Sequence, residues 1–391
     1  MSQRDVIIVG GGISGMSLAH YCAKAGLKPL VIDKNERLGG TFNSFRKDGF
    51  WFELGAHSCY NSYGNLVELL SDTGSLVRII KPGKAGYRLF TADGIKSIMS
   101  QMSIPELLVS LPRMFGAKMD GETVESYYSK IVGKGNFERA IAPMFNAVIC
   151  QRANDFPADM LFKKRERRKD VLKKFGLPGG LQSITDAIAA EAAIETATGK
   201  EIKGIDFSAN VFKVTTADGS SLEGKRLALA VHSEAAAALL QKSFPQISKK
   251  LSALKAEKVE TVGVIIKKEE TRIGPIAALA AADDIFYSFV SRDTFPDPVY
   301  RGFAFHFKAG TGSRESRLDR IAQVLGTRNF EHIATAGHVI PSLRLGHKET
   351  IAEIDALLSG TPLLLTGNYF TGLAIEDCVS RSLQESRRLM R

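Results

Sequence analysis

An α/β fold is what the sequence predicts, and three observations near its amino terminus predict it. The run Val6-Ile7-Ile8-Val9 is apolar on both strand faces, as a buried parallel strand requires. It feeds directly into Gly10-Gly11-Gly12-Ile13-Ser14-Gly15, and a second apolar strand, Leu30-Val31-Ile32, ends on Asp33. Strand, glycine turn, helix, strand and acid in that order describe a Rossmann-type dinucleotide site.

Each part of that site has a physical reason. Gly10 permits the tight turn, Gly12 lets the backbone approach a pyrophosphate, and Gly15 allows the helix to pack closely on the strand. Ile13 and Ser14 open the helix, whose first N–H groups and dipole favour phosphate, while Leu18, Ala19, Cys22 and Ala23 share one face. Asp33 lies roughly 20 residues past the glycines, where its carboxylate can accept from ribose hydroxyls.

The next segment, Asp33-Lys34-Asn35-Glu36-Arg37-Leu38-Gly39-Gly40, resembles the acid-x-x-x-Arg-x-Gly-Gly extension of the flavin amine oxidase superfamily. The resemblance implies FAD in place of a nicotinamide, with Lys34, Arg37, Gly39 and Gly40 among its contacts and Thr41 where many relatives carry arginine. A cation beside phosphate and bare backbone where a cofactor passes are consistent with it. Gly49-Phe50-Trp51-Phe52-Glu53-Leu54-Gly55-Ala56-His57 looks like the family's approach to the flavin ring, so Gly55, Ala56 and His57 are expected at the cofactor. His57 is the one candidate for a catalytic side chain, beside the commoner alternative of a structural histidine. Ile202 is also expected at the cofactor.

Composition bounds the rest. The 391 residues are 44% hydrophobic and 24% charged, which suits a globular chain of two or three domains. Asp283 and Asp284 interrupt the best apolar stretch, 273–290, so no spanning helix is expected, and a strand so close to the start leaves no leader, which reads as cytoplasmic. Cys22, Cys59, Cys150 and Cys378 form no CxxC pair and the histidines no HExxH, so neither a metal site nor a disulfide framework is expected. The formal net charge of +10 includes Lys163-Lys164-Arg165-Glu166-Arg167-Arg168-Lys169. A solvated helix face is the plain reading of that run; docking on an anionic membrane surface or attraction of a polycarboxylate are the sharper ones. No aromatic stacking pattern accompanies it, so nucleic acid is not an expected partner.

The domain pattern is discontinuous. An FAD-binding domain is expected from 1–85, 176–243 and 337–391, a helical subdomain from 86–175, and an α+β substrate domain from 244–336. Ile104, Leu107, Leu108, Leu111 and Phe115 recur at helical spacing with Pro105 in the first turn, which predicts a helix burying a core face; resting on a membrane is the alternative. After the breaker cluster Gly176-Leu177-Pro178-Gly179-Gly180 a helix carries Leu181, Ile184 and Ile188. Val211–Thr216, a turn at Asp218-Gly219 and Leu222 predict a hairpin, and 227–231 a buried strand. Phe303, Phe305 and Phe307 alternate with period two, forming either core or the floor of a flat pocket. A last strand, 361–365, leads to Gly367, Asn368, Leu373, Ala374 and Ile375, where a closing helix would aim its positive end at the flavin.

Three segments together resemble the FAD-dependent protoporphyrinogen oxidases: Gly179-Gly180-Leu181-Gln182, Ile340-Pro341-Ser342-Leu343-Arg344-Leu345-Gly346-His347, and Gly367-Asn368-Tyr369 through Asp377-Cys378. The resemblance implies a two-domain fold with a helical, membrane-facing region, a carboxylate-bearing tetrapyrrole as substrate, and removal of six electrons as three hydride transfers to flavin N5. The arginine that relatives often carry after the Gly55 position is absent; the stretch reads His57-Ser58-Cys59-Tyr60-Asn61. A flavin amine oxidase, a carotenoid desaturase, a sugar-nucleotide mutase and a non-catalytic FAD-binding protein remain alternatives.

Overall fold

The computed structural model describes residues 4–390; residues 1–3 and 391, assigned above to the nucleotide domain, lie outside the described residues. Five short parallel strands form the central sheet, in the spatial order Leu363–Leu365, Leu227–Leu229, Val6–Val9, Pro29–Ile32 and Glu195–Ala197. Register explains why both faces of these strands are apolar. Val6, Ile8, Val31, Ala228 and Leu364 point into one core. Ile7, Val9, Leu30, Ile32, Leu227, Leu229 and Leu363 point into another. Helices Ile13–Lys24 and Ile375–Leu389 cover the first face. Helices Ser233–Leu240, Pro245–Ser252 and His347–Leu358, with a three-stranded sheet starting at Ile202–Ser208, cover the second. A sheet sandwiched in this way is the doubly wound arrangement that the first strand predicts.

The hairpin forms as expected, Val211–Thr216 pairing antiparallel with Ser221–Gly224. A second sheet of seven strands runs His332–Pro341, Ala256–Lys267, Tyr300–Lys308, Phe286–Ser291, Ile276–Ala281, Gly86–Thr91 and Gly94–Lys96. Its outer two strands correct the expected helical stretch: Gly86–Thr91 pairs with Ile276–Ala281, a partner some two hundred residues away that local periodicity does not reveal, and Gly94–Lys96 pairs back on Gly86–Thr91. Helix Pro245–Ser252 likewise packs Ile247 and Leu251 into the core of the nucleotide domain. Phe303, Phe305 and Phe307 resolve as core, buried with Ile321 and Leu325 of the covering helix Arg314–Leu325.

Two further expectations are overturned. The apolar run at 104–115 forms helix Ile104–Ser110 and a 3-10 extension, Leu111–Gly116, but it buries no core face. Leu108, Val109 and Phe115 are 63%, 72% and 89% exposed. The helix packs on the protein through Ser110 and through Glu106, whose carboxylate holds the Gly135 N–H and Arg139. The basic run is not a helix either: it is an irregular, extended segment in which Lys163 and Arg165 turn inward while Lys164 and residues 166–169 face solvent.

Candidate functional site

The glycine turn is built as its spacing requires. Gly10 has φ +105°, and a Cβ there would lie 2.4 Å from the Ala230 carbonyl oxygen. A Cβ on Gly15 would fall 1.8 Å from Gly10 O, so the helix sits against the strand at a distance that only glycine allows. Gly12 differs: a Cβ there meets nothing closer than 3.8 Å, leaving open space in front of the helix terminus. That terminus carries no side-chain cap and no acid in its first turn, so its N–H groups are available to phosphate oxygens.

Asp33 is almost fully buried, and its carboxylate holds the turn. Oδ2 accepts from Gly11 N–H at 2.7 Å and Oδ1 from Asn35 N–H at 2.8 Å. Lys34 is exposed beside it. Gly39 N–H donates to Gly11 O at 2.8 Å, laying the Gly39-Gly40 loop along the glycine turn. Arg37 does not point freely outward: Nη1 donates to the carbonyls of Leu38 and Phe42 and Nη2 to that of Gly40, at 3.1, 3.0 and 2.8 Å. It is a brace for the double-glycine loop. Ile202 is buried in the second core at the hairpin sheet, and Lys200, two residues earlier, donates its N–H to Asp33 O at 2.9 Å.

The chain's two ends meet at this turn. Ser382 Oγ, on the last helix, donates to Ser14 O at 2.7 Å. Arg381, 1% exposed, lies 3.9 Å over the Phe370 ring and pairs with Asp355 and Glu385, locking the last helix to the sheet. The amino end of this helix is not bare, because Asp377 accepts from Ala374 N–H at 3.3 Å and also holds Lys163 and Arg165.

Beyond the glycines, a cavity of about 640 Å³ opens among the nucleotide sheet, the seven-stranded sheet and the helical insertion. Thr41, Gly55, Ala56, His57, Asn368, Leu373, Ala374 and Ile375 border it, so these expected residues are brought together in one lining. Gly55 is required there, since a Cβ would stand 2.1 Å from Thr41 O. Across the cavity, His57 Nε2 meets His306 Nε2 at 2.9 Å, and His306 Nδ1 meets Thr261 Oγ1 at 2.9 Å. One of each pair carries the proton. Burial and the neighbouring His306 hold the His57 imidazole well below the usual histidine range, and burial lowers His306 to about 3, so both are neutral near pH 7. His338 Nε2–H donates to Leu54 O at 2.8 Å, fixing the strand that leads to Gly55.

His306, Thr261 and His338 escaped the sequence reading. The alternation that places Phe303, Phe305 and Phe307 in the core puts Ala304 and His306 on the opposite face, and that parity is the signal that could have found His306. Arg292, Lys163, Arg165 and Lys174 line the cavity with two carboxylates, Glu53 and Asp377. Glu53 is buried, accepts from Ser44 Oγ and Leu181 N–H, and is pushed up to about 7 by burial. Tyr369 and Phe370 lie buried in the second core.

Fold and site together define a dinucleotide-binding protein with a chamber beyond its glycine turn. The family described as flavin containing amine oxidoreductase matches residues 13–272, and the chain belongs to it. FAD is the cofactor of that family, and the open Gly12 cradle, the uncapped helix terminus and Asp33 fit it. Among relatives, the chain is 32% identical over 105 residues to 15-cis-phytoene desaturase of Narcissus pseudonarcissus, covering 27% of this chain but 18% of that protein. It is 21% identical to protoporphyrinogen oxidase of Bos taurus over 474 residues, covering 99% of this chain and 98% of the relative. The solved structure of "Putative protoporphyrinogen oxidase" from Exiguobacterium sp. 255-15 superposes with a TM-score of 0.83 at 17% identity, covering 100% of both chains.

Proposed function

We propose that this protein is an FAD-dependent oxidase of a porphyrinogen, a tetrapyrrole bearing carboxylate side chains. The observation that carries the reading is the charge of the cavity: four cations line it against two carboxylates, one of which, Asp377, is already engaged by Lys163 and Arg165. Such a chamber attracts an anionic substrate and repels the ammonium group of an amine. The whole-length likeness to the bovine relative supports the same substrate class. A desaturase substrate, long and uncharged, has no use for those cations, and the desaturase match covers 27% of the chain.

When bound, FAD supplies hydride acceptance at its N5 position. The protein orients the substrate and excludes water from a chamber whose wall is fixed by Gly55 and Ala56. His57 serves in this reading as a neutral, orienting side chain: His306 holds its Nε2, and burial keeps it well below the usual histidine range, so no obligatory base is assigned to it. In this reading Gly39, Gly40 and Thr41 contact the cofactor and Arg37 braces their loop, while Lys34 and Ile202 flank the Asp33 segment. A peripheral membrane contact through Leu108, Val109 and Phe115 belongs to the same reading, since these side chains are exposed and no helix among the described residues is long and apolar enough to cross a membrane. In air, the FAD-loaded protein should convert coproporphyrinogen or protoporphyrinogen into a fluorescent porphyrin faster than the protein-free solution does. Oxidation of amines with no acceleration for either porphyrinogen would contradict the proposal.

A further inference from the structure

One cation of the cavity lining, Arg292, has no hydrogen-bond or salt-bridge partner among the described residues. Arg292 follows strand Phe286–Ser291 and borders the chamber. Its guanidinium carbon lies 4.6 Å from the Phe50 ring centroid and 4.9 Å from that of Trp51, so two aromatic faces hold it in place. Nε and Nη1 are buried, and no acceptor among the described residues reaches either. Arg301, on the neighbouring strand, shows what a satisfied arginine looks like here: Nε donates to Asp293 at 2.9 Å, Nη2 to the same carboxylate at 2.5 Å, and Gly274 O accepts at 3.2 Å.

Burying those two nitrogens without acceptors is costly, and Asp297, the carboxylate whose charge reaches Arg292, is spent on the Val299 and Tyr300 N–H groups. The cavity's carboxylates are committed elsewhere: Glu53 to Ser44 and Leu181, Asp377 to Lys163 and Arg165. Phe295, three residues on, packs against Trp51 at 5.4 Å between ring centroids and sits over Gly176. Two residues before Gly176, Lys174 contributes a second cation to the lining. The lining therefore combines a planar cation, an aromatic shelf and a second cation, Lys174.

We propose that Arg292 is the substrate-carboxylate anchor of this protein, with Lys174 beside it and Trp51 and Phe295 carrying the adjoining apolar or flat body. A planar carboxylate fits the donor edges of a guanidinium, and an acceptor there satisfies groups that the protein leaves unpaired. This anchor takes the place of the arginine that is absent after Gly55, and supplies the charge from the seven-stranded sheet. The inference rests on the carboxylate-bearing substrate proposed above.

The test is an equilibrium titration of the full-length, FAD-loaded protein, read by probe fluorescence without turnover. Two pairs of probes are used: coproporphyrin III with its tetramethyl ester, and pyrenebutyrate with pyrenebutanol. Wild type should bind the acid of a pair more tightly than its neutral counterpart. Arg292→Gln should weaken acid binding by about tenfold or more, the scale of a hydrogen bond to a charged group, and leave the neutral probe unchanged. Arg292→Lys keeps the charge but not the fork, so it should fall between the two; it also decides the matter if the glutamine variant fails to hold FAD. Undiminished acid binding by both variants, or no preference for acid over neutral probe in wild type, overturns the anchor. Arginine-dependent binding of pyrenebutyrate with no binding of coproporphyrin upholds the anchor and removes the porphyrinogen reading.

Discussion

His57 and His306 face each other Nε2 to Nε2 at 2.9 Å, joining the segment that ends the flavin approach to the middle of the inserted sheet. Thr261 continues the chain of hydrogen bonds at 2.9 Å from His306 Nδ1. A neutral pair so placed passes orientation from a rigid strand to a side chain at the cavity, and it has consequences for stability as well as for chemistry.

The first concerns acid stability. His306 is lowered to about 3 by burial and by the field of His338, against 6.5 for a free imidazole. Between those values the unfolded chain binds a proton that the folded protein refuses, so stability rises with pH and is lost on acidification. Each such imidazole contributes a slope of up to about 1.4 kcal/mol per pH unit. His306→Gln should flatten the dependence across this window, as measured by urea unfolding at a series of pH values. An unchanged slope would mean that the imidazole is not held neutral.

Glu53 acts in the opposite sense. Burial raises it from 4.5 to about 7, so between those values the folded protein keeps a proton that the unfolded chain has released. Its contribution is full at low pH and disappears as pH climbs through 7. Relative to wild type, Glu53→Gln should therefore gain stability progressively from pH 4.5 to pH 7. Because the two residues oppose one another where their windows overlap, the difference between variant and wild type is the quantity to measure in each case.

Gly12 and Gly15 separate cofactor approach from packing. Gly15→Ala forces a Cβ to within 1.8 Å of Gly10 O and should destabilise the apoprotein by about 2 kcal/mol or more. Gly12→Ala meets nothing nearer than 3.8 Å, at φ −71°, so apoprotein stability should hold while FAD retention falls. Thermal melts of the apoproteins beside flavin absorbance after gel filtration would show both effects. Full FAD retention by Gly12→Ala would place the diphosphate elsewhere.

The exposed apolar helix predicts a surface effect. Leu108 and Phe115 are 63% and 89% exposed, so replacing both with glutamate should leave the melting temperature within a degree or two. Co-sedimentation with vesicles containing phosphatidylglycerol should drop several-fold if the helix rests on lipid. Equal sedimentation of variant and wild type would remove that contact.

The nucleotide half of the fold was legible because its signals are local. Gly10, Gly15, Asp33 and the buried strands each announce themselves within a few residues. Residues 86–91 were misread because their partner strand lies at 276–281, and such pairing leaves no periodic trace in a short segment. Leu108 and Phe115 were expected inside because helical spacing shows that a face is apolar, not what covers it. Arg292 and His306 were invisible for a related reason: their roles come from Trp51 and His57, which only folding brings near. Arg37 was found, but its partners proved to be the carbonyls of its own loop.

The most direct test of the account is an anaerobic titration of the FAD-loaded protein with protoporphyrinogen. Six-electron oxidation by two-electron steps predicts that one equivalent of substrate bleaches about three equivalents of oxidised flavin, with porphyrin fluorescence rising in step. Flavin that stays yellow with porphyrinogen yet bleaches with a primary amine would contradict the account.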